Sequence, residues 1–397
     1  MKICLISFCT PTPFNSGAPS ALPYHLAKYR NTNIELEIYS FNSNHISEES
    51  IKNIEKELDA KIEILPTPYW YKLMFKFHLA VIRVLLRYPF LSYLSLPKSV
   101  LSKINNGDYD GVWIYGEEMS HFAKHFPDVK TVVLGPDCQA LYFVRASNEC
   151  FVKNSLSGRI KNALMLQKST AMAKAFPSKN VQYELVGEED RDYLLKINPS
   201  LKVDFLHHPH YDCYDKKVIK FSQPKIKLLV AGRYDFYMKE KCDEIFGAML
   251  GSASELKDCY EITFLGKDWE IWAERLQSVG YETCHIKFAP DYQEELIKHD
   301  IQLTPIGVGT GTKGKVLDAF ANGLMVMGTL RALENIQVVH GESCILYDKP
   351  EDAIAILNDI PQNINKYEQI TEAGRKAVLT NHGRLEVADQ LFALFKK

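Results

Sequence analysis

Short apolar runs alternate with longer stretches of helical period along the whole chain. Residues 2–8, 34–39, 111–115 and 131–134 are rich in Ile, Leu, Val and Tyr, as strands buried in a parallel sheet are. Between them, residues 20–28, 48–58 and 119–124 space their apolar positions as helices do. The alternation resumes after about residue 224, with strands expected at 226–231, 261–265, 285–288, 301–304 and 325–328. Two successive β-α series predict an α/β protein built from two Rossmann-like, doubly wound domains facing a central cleft. The expected divisions are an N-terminal domain at 1–208, a linker rich in Pro, Asp, Tyr and Lys at 209–224, and a C-terminal domain at 225–380. A terminal helix at 381–397 would be able to pack back on the first domain.

Composition narrows the chemistry. A formal net charge of −2 argues against a general nucleic-acid binder, so an anionic ligand needs a local basic cluster. Nine cysteines without a C-x-x-C provide neither a disulfide framework nor a zinc site. The first eight residues form a short apolar run entering a Pro-rich loop, which reads as a core strand and not a signal peptide, so a cytoplasmic location is expected.

Sheets of this kind hold ligands at the carboxyl ends of their strands, where helix N-termini present free N–H groups. The segment with the clearest chemistry is Gly307-Val308-Gly309-Thr310-Gly311-Thr312-Lys313-Gly314-Lys315. It leaves one expected strand and opens a helix in which Val316, Leu317 and Phe320 can face the core. Glycines let a backbone approach an anion, the helix start adds positive potential, and Lys313 and Lys315 add charge. Together they read as a diphosphate cradle; the alternative is a structural turn with two solvated lysines. The Walker spacing is absent.

At these residues the chain resembles the retaining glycosyltransferases of family 4, which have the GT-B fold. In that family two acids lie eight positions apart. Here Asp318 occupies the second position and Thr310 the first, followed by Ala319, Gly323 and a strand ending in Thr329. The resemblance implies that Asp318 binds the nucleotide ribose. It also implies that Gly309, Thr310, Gly311, Thr312 and Lys315 line the donor site, with backbone N–H groups in place of the first acid. Leu228-Leu229-Val230-Ala231-Gly232-Arg233 is similar to the family's strand ending in Gly-Arg, so Arg233 would hold the diphosphate, with Lys239 the nearer of two candidate lysines after it. An arginine's planar fork suits phosphate oxygens. Arg233, Lys239 and Lys313 are therefore the expected catalytic groups, stabilising charge on the leaving diphosphate without a metal. In the N-terminal half, Gly17 stands in the family's first glycine-rich loop, and Asp137 and His121 are further acceptor-side candidates.

Other signals are weighed against this reading. Asp108-Tyr109-Asp110 and Asp190-Arg191-Asp192 have the D-x-D form, and His207, His208 and His210 cluster in sequence, but their spacing does not build a metal site, and none is expected. His121 and His125 would share a face of a helix. Residues 64–107 contain no acid. If 69–87 were one helix, Lys72, Lys76, Arg83 and Arg87 would fall in one stripe, from the roughly 100° turn per residue. Two readings stand: an in-plane helix at the anionic inner face of the membrane, or a helix packed in the first domain with its basic stripe solvated.

The function expected is transfer of a sugar from a nucleotide-sugar donor to a saccharide or lipid-linked acceptor, with retention, in bacterial surface polysaccharide or glycoconjugate synthesis. The alternatives are a sugar-nucleotide 2-epimerase on the same fold and a non-catalytic GT-B scaffold. A nicotinamide dehydrogenase is disfavoured, because no G-x-G-x-x-G follows the first strand.

Overall fold

The computed structural model describes residues 1–13, 18–77, 82–148, 155–214 and 218–396. The chain forms two compact units, Met1–Pro209 together with Arg384–Lys397, and His210–Gly383.

The first unit is a seven-stranded sheet in the order β3-β2-β1-β4-β5-β6-β7. Its strands are β1 (Lys2–Ser7), β2 (Glu35–Ser40), β3 (Ala60–Ile64), β4 (Gly111–Tyr115), β5 (Lys130–Gly135), β6 (Val181–Leu185) and β7 (Val203–Phe205). Every neighbouring pair is parallel. Parallel strands need crossovers, and helices on both faces bury the sheet twice over. Hence Cys4, Ile6, Val112 and Ile114 enter one core, while Ile3, Leu5 and Trp113 enter the core on the other face. Helix α1 is Ala18–Lys28, and α2 is Glu48–Leu58. The Ser47 hydroxyl accepts the Ser50 N–H to start α2, and Ile51, Ile54 and Leu58 bury one stripe. The terminal helix Arg384–Ala393 belongs to this unit, setting Phe392 edge-on against Trp113 at 5.7 Å.

The second unit is a six-stranded sheet ordered β10-β9-β8-β11-β12-β13. Its strands are β8 (Ile226–Ala231), β9 (Tyr260–Leu265), β10 (Glu282–Ile286), β11 (Ile301–Thr304), β12 (Met325–Gly328) and β13 (Ile345–Leu346). Leu228, Val230, Ile262 and Phe264 fill one face, and Leu229, Ala231 and Val326 the other. The expected linker residues Ile219 and Phe221 are buried, and Phe221 joins the first of these cores.

Three local expectations are corrected. Residues 117–125 form a 3-10 helix, not an α-helix, so His121 and His125 do not share a face. Strand β10 ends at Ile286, short of the expected 285–288. The stretch 69–87 is not one helix: α3 spans Tyr69–Lys76 and α4 only Ile82–Leu85. Residues 78–81, between the two helices, lie outside the described residues. Arg83 lies over the Phe90 ring at 4.9 Å, and the side chains of Lys72 and Lys76 lie outside the described set.

Candidate functional site

Each sheet reverses its winding once, between β1 and β4 in the first unit and between β8 and β11 in the second. In sheets of this kind the strand-end loops diverge at such a point, which is where ligands bind. In the second unit the loops are 232–238 after β8 and 305–313 after β11.

The two loops are tied through their backbones. The Tyr237 carbonyl accepts the N–H groups of Gly307 and Val308 at 2.9 and 3.3 Å. Thr329, at the end of β12, donates its hydroxyl to the Ile306 carbonyl at 2.5 Å. The second loop turns at Gly309 and Gly311, whose φ angles of 142° and 61° favour glycine. It then enters helix α5 (Gly314–Ala321), whose N-terminal end carries the positive pole of the helix dipole.

The expected charged residues gather here in different states. Arg233 is exposed at the end of β8, its Nε donating to Asp268 Oδ2 at 2.6 Å. Asp268 raises the pKa of the guanidinium. Lys239 begins helix α6 (Lys239–Gly251), with Nζ 5.7 Å from the Tyr234 ring centre. Lys313 folds back onto its own turn, donating to the carbonyls of Thr310 at 2.9 Å and Gly311 at 2.8 Å. Thr310 is buried and Thr312 half-buried. The surrounding protein lowers the pKa of the Lys315 ammonium, and Asp318 and Asp235 oppose that shift. Asp318 is buried, with Oδ1 accepting the Tyr211 N–H at 3.1 Å. Burial raises its carboxyl to about 7; the Tyr211 N–H opposes this most, Asp212 adds to it and Lys315 subtracts.

A brace that sequence reasoning missed supports Arg233. The Gly232 carbonyl accepts the Trp269 indole N–H at 2.8 Å, and a Cβ at Gly266 would lie 1.8 Å from that same oxygen. Glycine after β9 is thus required so that two strand ends can touch. An isolated glycine in a strand-end position was the one signal available.

In the first unit, Gly17 lies outside the described residues. Asp137 is half-buried after β5. It adds to the upward shift that burial gives the Glu118 carboxyl, which the Gln139 side chain opposes by hydrogen bonding. Glu117 and Asp190 are buried and cap the next helix, accepting the N–H groups of Gln139 at 2.9 Å and Cys138 at 2.8 Å. The second D-x-D triplet is thus a cap. His121 sets Nδ1 3.0 Å from the Glu118 carbonyl and Nε2 2.9 Å from that of Leu94, so both nitrogens face backbone. His208 and His210 likewise set Nδ1 on the carbonyls of Pro209 and Tyr211. Among the described residues, no three His, Cys, Asp or Glu side chains are grouped to hold a metal ion.

No family model matches the sequence, and neither does any curated protein. Solved structures are similar over almost the whole chain. HepE from Anabaena, in complex with UDP, is 10% identical, with 99% of each chain covered and a TM-score of 0.63. Sucrose-phosphate synthase from Thermosynechococcus elongatus is 12% identical, with 99% of this chain and 98% of that chain covered, at 0.61. WaaG, a glycosyltransferase involved in lipopolysaccharide biosynthesis, is 11% identical, with 99% of each covered, at 0.59. The protein has the fold of these GT-B glycosyltransferases, two Rossmann-like units in one chain.

Proposed function

We propose that the protein is a glycosyltransferase that takes a sugar from a nucleoside-diphosphate donor held by its second unit. One observation carries the reading. The loop bearing Arg233 and the glycine turn that opens α5 are bonded together at the switch point of the second sheet. HepE has been solved with UDP and with UDP-glucose, which supports a donor of that class.

In the reaction, the bond between the sugar's anomeric carbon and the diphosphate oxygen breaks, and the diphosphate keeps the electron pair. Arg233, Lys239 and the N-terminal end of α5 stabilise that charge. Lys313 holds the turn in shape through the Thr310 and Gly311 carbonyls, so its first role is positioning. An acceptor hydroxyl bonds to the anomeric carbon and gives its proton to the departing phosphate. This course retains configuration and needs neither a metal nor a protein base. The acceptor is a saccharide or lipid-linked saccharide, and Glu118 and Asp137 are the first unit's candidate residues for it.

The test is turnover of a panel of UDP-, GDP- and ADP-sugars with saccharide acceptors in EDTA, reading free nucleotide and transferred sugar separately. Transfer with the anomer retained supports the reading. An inverted product replaces the phosphate-assisted course with base catalysis, for which Glu118 and Asp137 are the candidates. An isomerised sugar without transfer indicates an epimerase. Nucleotide binding without turnover indicates a scaffold, which the folded-back Lys313 would suit.

A further inference from the structure

Two stretches of the first unit, residues 64–107 and 150–183, contain twelve of the chain's 47 lysines and arginines and none of its 49 acids. The protein as a whole is slightly acidic, so this basicity is local. The fold brings the two stretches together. Lys168, on helix α7 (Leu156–Lys174), donates its ammonium to the carbonyls of Arg83, Val84 and Leu86 around the end of α4. Ser92 reaches Met172 Sδ on the same helix at 3.2 Å.

The same stretches expose apolar side chains to an unusual degree. Of eighteen large hydrophobic residues exposed among the described residues, nine lie within them. They include Tyr69 and Leu156 at 75%, Phe77 at 59%, Val84 at 51%, Leu85 at 83% and Ile160 at 54%. Ile160 and Leu156 lie roughly two and three turns up α7 from Lys168. Arg87, Lys98, Arg159 and Lys161 are exposed in the same two stretches. Exposed apolar groups in stretches that carry basic residues and no acids of their own are poor chemistry for water alone, but they suit the interface of an anionic bilayer. Among the described residues no helix is long and apolar enough to cross a membrane, so the contact would lie in the plane of the surface.

We propose that the face of the first unit formed by α3, α4 and the start of α7 docks on an anionic lipid surface, with Leu85 and Leu156 entering the headgroup region. This goes beyond the proposed function and does not depend on it. The charge comes from two segments that the fold has joined.

The test is co-sedimentation of the whole protein with vesicles of equal parts phosphatidylcholine and phosphatidylglycerol, against phosphatidylcholine alone. The variants are the double change Leu85→Asp and Leu156→Asp, and the double change Arg159→Glu and Lys161→Glu. These side chains are exposed, so each variant should keep the wild-type unfolding midpoint. Wild type should bind the anionic vesicles only, less tightly as salt rises. Each double variant should bind at least about tenfold more weakly, since one basic contact alone contributes roughly fivefold. No binding to anionic vesicles, equal binding to neutral ones, or binding unchanged in both variants would overturn the proposal. So would displacement of the vesicles by single-stranded nucleic acid, which would make the face a polyanion site.

Discussion

The Tyr211 N–H donates to Asp318 Oδ1 at 3.1 Å, so the acid that resembles a ribose ligand is already holding the start of the second unit. Three residues further along, the segment is fastened again. Asn322 Oδ1 accepts the Tyr214 N–H at 3.2 Å, and Arg375 donates to the carbonyls of Tyr214 and Ala321. Helix α5 is thus clasped by residues 211–214.

Asp318 also sets a pH dependence. Its folded pKa of about 7 lies above the ordinary value of 3.8, so the native state holds this proton more tightly than the unfolded chain. Stability from this group is highest below the ordinary value and falls as pH rises towards about 7. Asp318→Asn keeps an oxygen for the Tyr211 N–H and removes the charge. Its gain over wild type should be small at pH 4 and on the order of a few kcal/mol at pH 8. Unfolding midpoints across that range check the sign.

Two glycines should respond oppositely to alanine. Gly266→Ala places a Cβ against the Gly232 carbonyl at a φ of 142°, and should cost at least about 2 kcal/mol along with nucleotide binding. Gly247→Ala, inside α6 where a Cβ meets nothing within 4 Å, should gain about 0.5–1 kcal/mol. Denaturant unfolding of the pair reads both.

Gln302 lies in the middle of β11, fully buried, paired with Leu229 and Val326, and neither polar atom of its side chain has a partner among the described residues. A buried amide without partners costs free energy that an apolar side chain of similar volume avoids. Gln302→Met should raise stability by about 1–3 kcal/mol and leave nucleotide affinity unchanged, as calorimetry and titration would show.

Asp268 competes with any phosphate for Arg233 while aiming its guanidinium. Both side chains are more than half exposed, so Asp268→Asn should leave the unfolding midpoint where it is. Removing a negative charge beside a polyanion should tighten nucleoside-diphosphate binding by roughly twofold to tenfold at low salt, and the gain should shrink as salt is added.

Much of the fold was legible, because strands buried on both faces must be apolar throughout. Residues 226–231, 301–304 and 325–328 are such runs, and they form β8, β11 and β12 with the expected bounds. Helix Glu48–Leu58 was equally plain from its apolar spacing. Strands β3 and β6 escaped notice because they break that rule. Strand β3 is an edge strand with alternating exposure, and β6 buries Gln182 and Glu184. The stretch 69–87 misled because its apolar spacing suits one helix, whereas aromatic packing among Trp70, Tyr71 and Phe90 and the cap from Lys168 stabilise two. In the second unit, the sequence placed Arg233 and the glycines of 307–311 just after strands, and they follow β8 and β11. It could not show that Lys313 folds inward or that Trp269 and Gly266 brace the first loop, since those contacts join distant strands.

The most direct test of a donor site at Arg233 and the glycine turn is calorimetric titration with UDP, GDP, CMP and ADP in EDTA, using wild type and Arg233→Ala. The account predicts that one nucleoside diphosphate binds, and that the variant loses at least about tenfold in affinity while keeping its unfolding midpoint. Failure of every nucleotide to bind wild type, or equal affinity in the variant, would contradict it.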